Sequence, residues 1–553
     1  MARRRFDLQT AINLIQESSD EESHSSVSGE SHELPYDFSS GDDSDTSQLE
    51  EEACENVGGI EWWENPRAPG RESAGNVVTS FEGKFVSAIH PNSPIEAFEY
   101  YLSADIDDFV RFTNLEARRV LAKPETSEYL KSRWIPVDRI EMNAFIGVHL
   151  AAGVNKRNMT NVKRLFDIEK SSPLYGTTMP RERFEIIRRF FRCDDKLKRD
   201  GDDKLSPVRF VFERKLIDFQ KCYSCSPFLS IDEQLLRFHG RLSFRMYIPS
   251  KPEKYGIKII WLVDNDTGYV VNGLVYTGQH TFKGKSLEEI SRSRDRTMMV
   301  VCEPVLGKGA NITMDNWFTS ISVAQRLHAE NTTLVGTLRR NSRCIPSKAK
   351  ECRGRERGNC RYFFAENFTL LSMKDRKRQP ILLLSSQHHR PGVRNGKPEI
   401  VDFYNRNKSG VDNMDHMLSL TSSARKSNRW TYGFLFNLID VTLLNAFIMF
   451  TKTSERQMSR SKFLDDLCMS LCRPQMQRRL TSKKTRAVRI GLELFDLHSE
   501  VNQESEKKRG RCKFCSNDNK HSNKCRVCCG FTCKSHGSSS WTHFSCEWLF
   551  SCS

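Results

Sequence analysis

The stretch Lys408–Met417, KSGVDNMDHM, sets two carboxylates, Asp412 and Asp415, three residues apart behind a glycine. On a helix that spacing turns through roughly 300°, so both acids project from nearly the same face. Like charges side by side repel, and a shared cation is one way to offset the repulsion. The plainer reading is a helix start, with Gly410 closing a loop, Asp412 near the helix N-terminus and Asp415 facing solvent. Two other stretches bear on the choice. FLSIDEQLLRFHGR puts Asp232 inside an apolar strand, and ANITMDNWFTS puts Asp315 at the end of another strand, before a helix. Each alone reads as a strand-end cap, yet acids in such places are rarely buried without a partner. With Asp232 and Asp315 on neighbouring strands and Asp412 and Asp415 on a helix beside them, the four would form an acidic pocket. Such oxygens suit Mg2+. Two ions about 3.5–4 Å apart can activate a water or a 3′-hydroxyl and stabilise the leaving oxygen of a phosphodiester.

A second constellation lies at the C-terminus, where eight of the 18 cysteines fall in the last 42 residues. The pattern C-x2-C-x9-C-x2-C-x4-C-x2-H-x6-H-x2-C uses Cys512, Cys515, Cys525, Cys528, Cys533, His536, His543 and Cys546. Two-residue gaps let a tight turn aim both side chains at one tetrahedral ion, so these eight ligands would close two Zn2+ sites. The spacing resembles a cross-brace finger of the PHD or RING type, in which the first and third pairs share one zinc and the second and fourth the other. The third pair reads Cys then His, the reverse of the usual PHD order. Cys529 and Cys552 remain over, and either could displace His543 or Cys546. With every position filled, such a finger has a structural and recognition role and no open site for chemistry. A disulfide scaffold is the alternative, and a reducing compartment disfavours it.

The elements that must position these groups follow from composition and periodicity. The chain has 553 residues, 28% charged and 38% hydrophobic, which allows several domains and a large core. Residues 1–60 hold three Arg against fifteen Asp and Glu, a local net of −12, leaving +27 on the remainder of a chain whose total is +15. A body that basic points to a polyanionic partner, nucleic acid before others, with solubility alone as the competing reason. Residues 1–80, rich in Ser, Asp and Glu, read as a disordered acidic tail. Residues 81–227 show helical three-to-four spacing; after that the period moves towards two, with short strands among helices, a mixed α/β domain. No internal repeat is visible. The apolar run Gly433–Phe450 is long enough to be a borderline membrane span, but it carries Asn437, Asp440 and Asn445 and reads as a buried core helix. No signal peptide is recognisable at the N-terminus. Cytosol or nucleus is therefore expected, and the basic runs Ser482–Arg486 and Glu506–Arg511 suit nuclear import.

Five ordered blocks carry a family resemblance: SIDEQLLRFHGRLSFRMYIPSKPEKYGIK (Ser230–Lys258), NITMDNWFTS (Asn311–Ser320), LVGTLRRN (Leu334–Asn341), YNRNKSGVDNMD (Tyr404–Asp415) and ARKSNRW (Ala424–Trp430). With them the chain resembles a piggyBac-family DNA transposase over roughly residues 85–480 and the terminal finger. The resemblance implies an α/β, RNase H-like catalytic domain in two parts, 228–341 and 399–421, around a β-rich insertion at 342–398. It also implies a mainly helical dimerisation and DNA-binding domain from 81–227 and 422–494, a basic linker at 495–510 and a cysteine-rich zinc-binding domain at 511–553. Asp232, Asp315 and Asp412 fall on the family's catalytic triad and Asp415 on its fourth required acid, together holding two Mg2+. Such enzymes nick the transposon end, form a hairpin with the freed 3′-OH, resolve it and join the 3′ ends to TTAA sites. A homodimer or higher synaptic assembly acts on transposon-end and target DNA, with Arg241, Arg339, Asn316 and Trp430 as DNA contacts and no membrane partner. His239 stands where the family has a familiar Arg, and Ser342 where it has a Lys. The competing readings are a domesticated DNA-binding protein without transposition, and a ubiquitin-ligase or histone-reading role for the finger. All four acids are intact, which favours the enzyme.

Overall fold

The segment from Phe228 to Arg237, which alternates apolar residues such as Leu229, Ile231 and Leu235 with polar ones, lies within a nine-stranded sheet. The computed structural model describes residues 55–66, 78, 82–86 and, with short gaps of which 282–292 is the longest, 88–497. It also describes 510–512, 520, 521, 523 and 531–536. The chain divides into two units: Met1–Asp108, Gly153–Lys156 and Arg192–Asp466, and Phe109–Ala152, Arg157–Phe191 and Leu467–Ser553.

The sheet belongs to the first unit. Its strands are β1 (Phe228–Arg237), β2 (Met246–Tyr247), β3 (Tyr255–Asp264), β4 (Val270–Val275), β5 (Asn311–Met314), β6 (Thr333–Leu338), β7 (Cys360–Phe364), β8 (Thr369–Met373) and β9 (Ile381–Ser385). Their order is β7-β8-β9-β6-β5-β1-β3, with β2 and β4 sharing the outer edge of β3. Within it, β4-β3-β1-β5-β6 has the order of an RNase H-like core. The first three strands in sequence are antiparallel, and β5 and β6 run parallel to β1 and to each other. Helices α1 (Arg209–Cys222) and α2 (Ser293–Cys302) precede α3 (Ile321–Ala329), which connects β5 to β6, as a parallel pair requires. Strand β3 is buried at every residue after Tyr255, which explains its unbroken apolar run.

The segment expected as a β-rich insertion extends this same sheet: β9 pairs antiparallel with β6, and β8 and β7 follow outward. Helix α4 (Glu399–Asn407) covers that extension, burying Ile400, Val401 and Phe403 against Val335, Leu371, Met373 and Leu383. Helix α5 (Gly410–Leu420) packs on β1 and β3.

The tail expectation needs correction. Residues 55–62 form a hairpin, Glu55–Val57 with Ile60–Trp62, turned by Gly58 and Gly59, both at positive φ (63° and 83°). A two-residue Gly-Gly loop flanked by apolar positions is a strong local hairpin signal, and the acidic composition hid it. Trp62 and Trp63 are buried, and Trp63 exchanges backbone hydrogen bonds with Phe364 at the sheet edge. The rest of the tail up to residue 54 lies outside the described residues.

Helix α6 (Trp430–Thr453) is the one described helix long and apolar enough to cross a membrane, yet 89% of its apolar window is buried inside the protein. Its buried Asn437, Asp440 and Asn445 each make hydrogen bonds within the fold. Asn445 exchanges two 2.9 Å hydrogen bonds with the backbone of Val270 at the start of β4. Asp440 accepts from the backbone and hydroxyl of Ser423, and Asn437 donates to Gln234. The second unit is helical and packed with aromatic rings, Phe145 lying against His149, Phe184 and Phe191, and Trp134 against Phe190.

Candidate active site

Register alone brings the first two acids together. Parallel strands β1 and β5 pair Phe228 with Asn311 through Ile231 with Met314, so the next residues, Asp232 and Asp315, lie side by side on the same face. Neighbouring strands are about 4.8 Å apart. Beyond Asp315 the chain turns, its carboxylate accepting from the Trp317 backbone N–H at 2.8 Å, before Ser320 caps α3 through Val323 N–H. Asp412 and Asp415 arrive on α5. Gly410 is the first residue of that helix and does not close a loop. A methyl group there would collide with Ser230 Oγ and Asn265 Oδ1, so the glycine lets the helix start directly on the sheet. Asp412 is exposed, while Asp415 is partly buried and does not face solvent as a plain helix start would have it.

The electrostatics follow from burial and proximity. Burial, reinforced by Glu233, Asp412 and Asp315, raises the Asp232 carboxyl well above its ordinary range, with Lys251 opposing. Burial likewise raises Asp315, against the backbone donation from Trp317, and raises Asp415, against its bond to Gln234. Tyr404 of α4 is partly buried beside the same charges: its hydroxyl is pushed up to about 12, by burial first and by Asp315, Asp232 and Asp412 in addition.

Two cations answer this negative field. Lys251, between β2 and β3, puts its ammonium 3.2 Å from Asp412 Oδ1. Lys258 on β3 lies 3.2 Å from Glu233 and 3.6 Å above the Trp317 ring, a buried ion pair combined with a cation–π contact. Gln234 ties Asp415 to the core. Its Oε1 accepts from Trp261 Nε1 (3.1 Å) and Asn437 Nδ2 (3.0 Å), which leaves its NH2 to donate to Asp415 at 2.6 Å. Gln234, Lys251, Lys258 and Tyr404 were missed as site residues. Gln234 carried a signal, since it is two residues past Asp232 and must share its face; the others carried none that a linear reading could rank.

The donor set fits a hard divalent cation: partly buried carboxylates whose ionised form is costly without one, with an ammonium already among them. The four acids do not draw together into a closed cage. Among the described residues, the group of three Cys, His, Asp or Glu side chains with ligand atoms all within 4.8 Å of one another is Cys512, Cys533 and His536. There Cys533 Sγ lies 3.2 Å and Cys512 Sγ 3.9 Å from His536 Nδ1. Soft thiolates with an imidazole suit Zn2+. Cys515, Cys525, Cys528, His543 and Cys546 lie outside the described residues. The described cysteines are free of disulfides.

The expected DNA contacts are placed as follows. Arg339, exposed after β6, donates its Nε to the backbone carbonyl of Asn316, the exposed residue next to Asp315. Arg241 is exposed on the loop leaving β1, which Arg245 clips by donating to the carbonyls of His239 and Gly240. Trp430, first in α6, sets its ring 5.3 Å from Phe244 of that loop.

Comparison with known proteins gives a consistent answer. Residues 93–447 match the protein family described as Transposase IS4. The human piggyBac transposable element-derived protein 2 is 24% identical over 295 residues, 49% of this chain and 49% of its own length. Human piggyBac transposable element-derived protein 3 is 22% identical over 391 residues, 67% of this chain and 63% of its own. The chain thus spans between about half and just under two thirds of these curated relatives. A cryo-EM structure of a piggyBac transposase synaptic complex with hairpin DNA superposes with a TM-score of 0.70 at 32% identity, covering 82% of this chain and 98% of that one.

Proposed function

The chain belongs to the piggyBac transposase family, and from that premise we propose that it is a cut-and-paste DNA transposase. It would excise transposon ends through hairpin intermediates and join them at TTAA sites. The observation that carries this reading is the register that sets Asp232 beside Asp315, with α5 bringing Asp412 and Asp415 onto β1 and β3. Asp232, Asp315 and Asp412, with Asp415 behind them, would hold two Mg2+. Bound there, the ions would supply an activated oxygen nucleophile and stabilise the leaving oxygen of an in-line displacement. The chain's own groups orient the reaction: Gln234 aims Asp415, Trp317 N–H aims Asp315, and Lys258 holds Glu233 in place. Arg339, Asn316, Arg241 and Trp430 would contact the DNA, the guanidinium groups through phosphate or guanine. The net positive charge beyond the acidic tail supports a DNA partner. We assign Zn2+ to the C-terminal cysteine and histidine ligands, with transposon-end recognition as their role. The assembly would be a homodimer or larger synaptic complex, a reading supported by the solved relative's being a synaptic complex, and would act in the nucleus.

The second reading is a domesticated, sequence-specific DNA-binding protein without transposition activity; the names of the human relatives say that they are derived from a transposable element. A plasmid excision assay with the flanking genomic repeats separates the two. Asp232→Asn, Asp315→Asn and Asp412→Asn should each lower excision by more than about a hundredfold, the loss already reached by changing groups that merely orient a metal's ligands, while end-DNA retention in gels persists. Excision undiminished in any of the three refutes the assignment. No excision by the unaltered chain, with intact binding, favours the second reading.

A further inference from the structure

Lys251 stands out among the charged side chains around the acids. Lys258 is committed to Glu233 and to the Trp317 ring, and Arg339 to the Asn316 carbonyl. Among the described residues, Lys251 has one ion-pair contact, to Asp412, the most exposed of the four acids. Burial works against its charge, but the negative charges of Asp232, Asp412 and Glu233 together outweigh that and favour the ammonium. It is carried on the turn between β2 and β3, where its own N–H reaches back to the carbonyl of Ile248 and Ile248 N–H bonds Lys254. A four-carbon stem on such a turn can swing its charge by several ångströms without moving the sheet.

From this geometry we propose that Lys251 is a built-in surrogate for the metal, its ammonium occupying the acid cluster until a divalent cation displaces it. The inference rests on the reading of Asp232, Asp315 and Asp412 as metal ligands. A divalent ion seated on Asp412 and Asp232 repels an ammonium touching the same carboxylate, so the two occupancies exclude each other. Before loading, the lysine keeps buried carboxylates from facing one another unscreened. After loading, the displaced ammonium lies beside exposed Asp412, where a DNA phosphate is its natural counter-charge. Metal entry and strand capture are thereby coupled through one side chain.

The test measures Mn2+ binding to the full chain by electron paramagnetic resonance, without DNA, in the unaltered protein, Lys251→Met, Lys251→Arg and Asp232→Asn. Thermal unfolding in EDTA is recorded in parallel. If the ammonium fills the cluster in about 80–90% of molecules, Lys251→Met should bind Mn2+ about five- to tenfold more tightly. Lys251→Arg, which keeps the competing charge, should stay near the unaltered protein. Lys251→Met should also melt lower than the unaltered protein in EDTA and recover with Mn2+. Equal or weaker Mn2+ affinity in Lys251→Met overturns the proposal while leaving the metal site standing. If Asp232→Asn retains the full Mn2+ stoichiometry, the acids are not the ligands, and both readings fall.

Discussion

Gln234 shows how much one amide can settle. An amide offers an acceptor on one side and donors on the other. Trp261 and Asn437 both donate to its oxygen, so only its NH2 is left for Asp415. Gln234→Leu would strand two buried donors and remove the group that orients Asp415. An unmet buried donor costs about 1–3 kcal/mol, so the variant should lose about 2–4 kcal/mol in denaturant unfolding and, with Asp415 unanchored, most of its cleavage. An unfolding midpoint equal to that of the parent chain would show that the amide is not bridging these groups. The strand period made Gln234 a neighbour of Asp232 in the linear reading, but nothing there indicated Trp261 or Asn437, which come from a different strand and from a helix two hundred residues away.

At the scale of elements, the glycine in KSGVDNMD matters because a helix meets a sheet there. Ser230 and Asn265 stand where a Cβ at position 410 would go. Overpacking of this kind costs about 1–3 kcal/mol. Gly410→Ala should therefore lower stability by that amount and lift α5 from β1, moving Asp412 and Asp415 together. Strand cleavage would then fall further than DNA retention, which depends on residues elsewhere. Equal losses of both, in parallel cleavage and gel-retention measurements, would argue that α5 does not set the acids. Helix α6 makes a related point: its Asn437, Asp440 and Asn445 are the reason a membrane was an unattractive reading, and each completes a bond of the sheet unit.

For the whole molecule, two predictions concern stability and metal content. Burial pushes the Asp440 carboxyl up to about 7, against hydrogen bonds from Ser423 and the charge of Arg460, itself drawn down to about 10 by burial. An unfolded aspartate titrates near 3.9. The folded state thus binds more protons between those values, and this contribution to stability is full below about pH 4 and lost as pH rises through about 7. Melting temperatures at pH 5, 6.5 and 8 should show the parent chain losing ground relative to Asp440→Asn as pH increases, by a few kcal/mol at most. A constant difference between the two proteins across that range would contradict the assignment. In the C-terminal region, Cys533→Ser or His536→Ala should lower the zinc content of the purified chain by about one equivalent, since a structural site of this kind needs all four ligands. Atomic emission measures it, and an unaltered metal content would dismiss the site.

Local information carried much of this protein. The alternation of strands and helices, the acids within and beside them, the eight spaced cysteines and histidines near the C-terminus and the family blocks are all properties of short stretches, and a linear reading reaches them because period and spacing are local. The tertiary structure decided which distant stretches meet. Parallel pairing set Asp232 against Asp315; the strands of 342–398 joined the central sheet; Trp62 and Trp63 found a buried berth despite their acidic surroundings; and Lys251 reached Asp412 across 161 residues. Each of these outcomes depends on burial and charge shared between segments far apart in sequence, and those energies exist only once the chain has closed on itself.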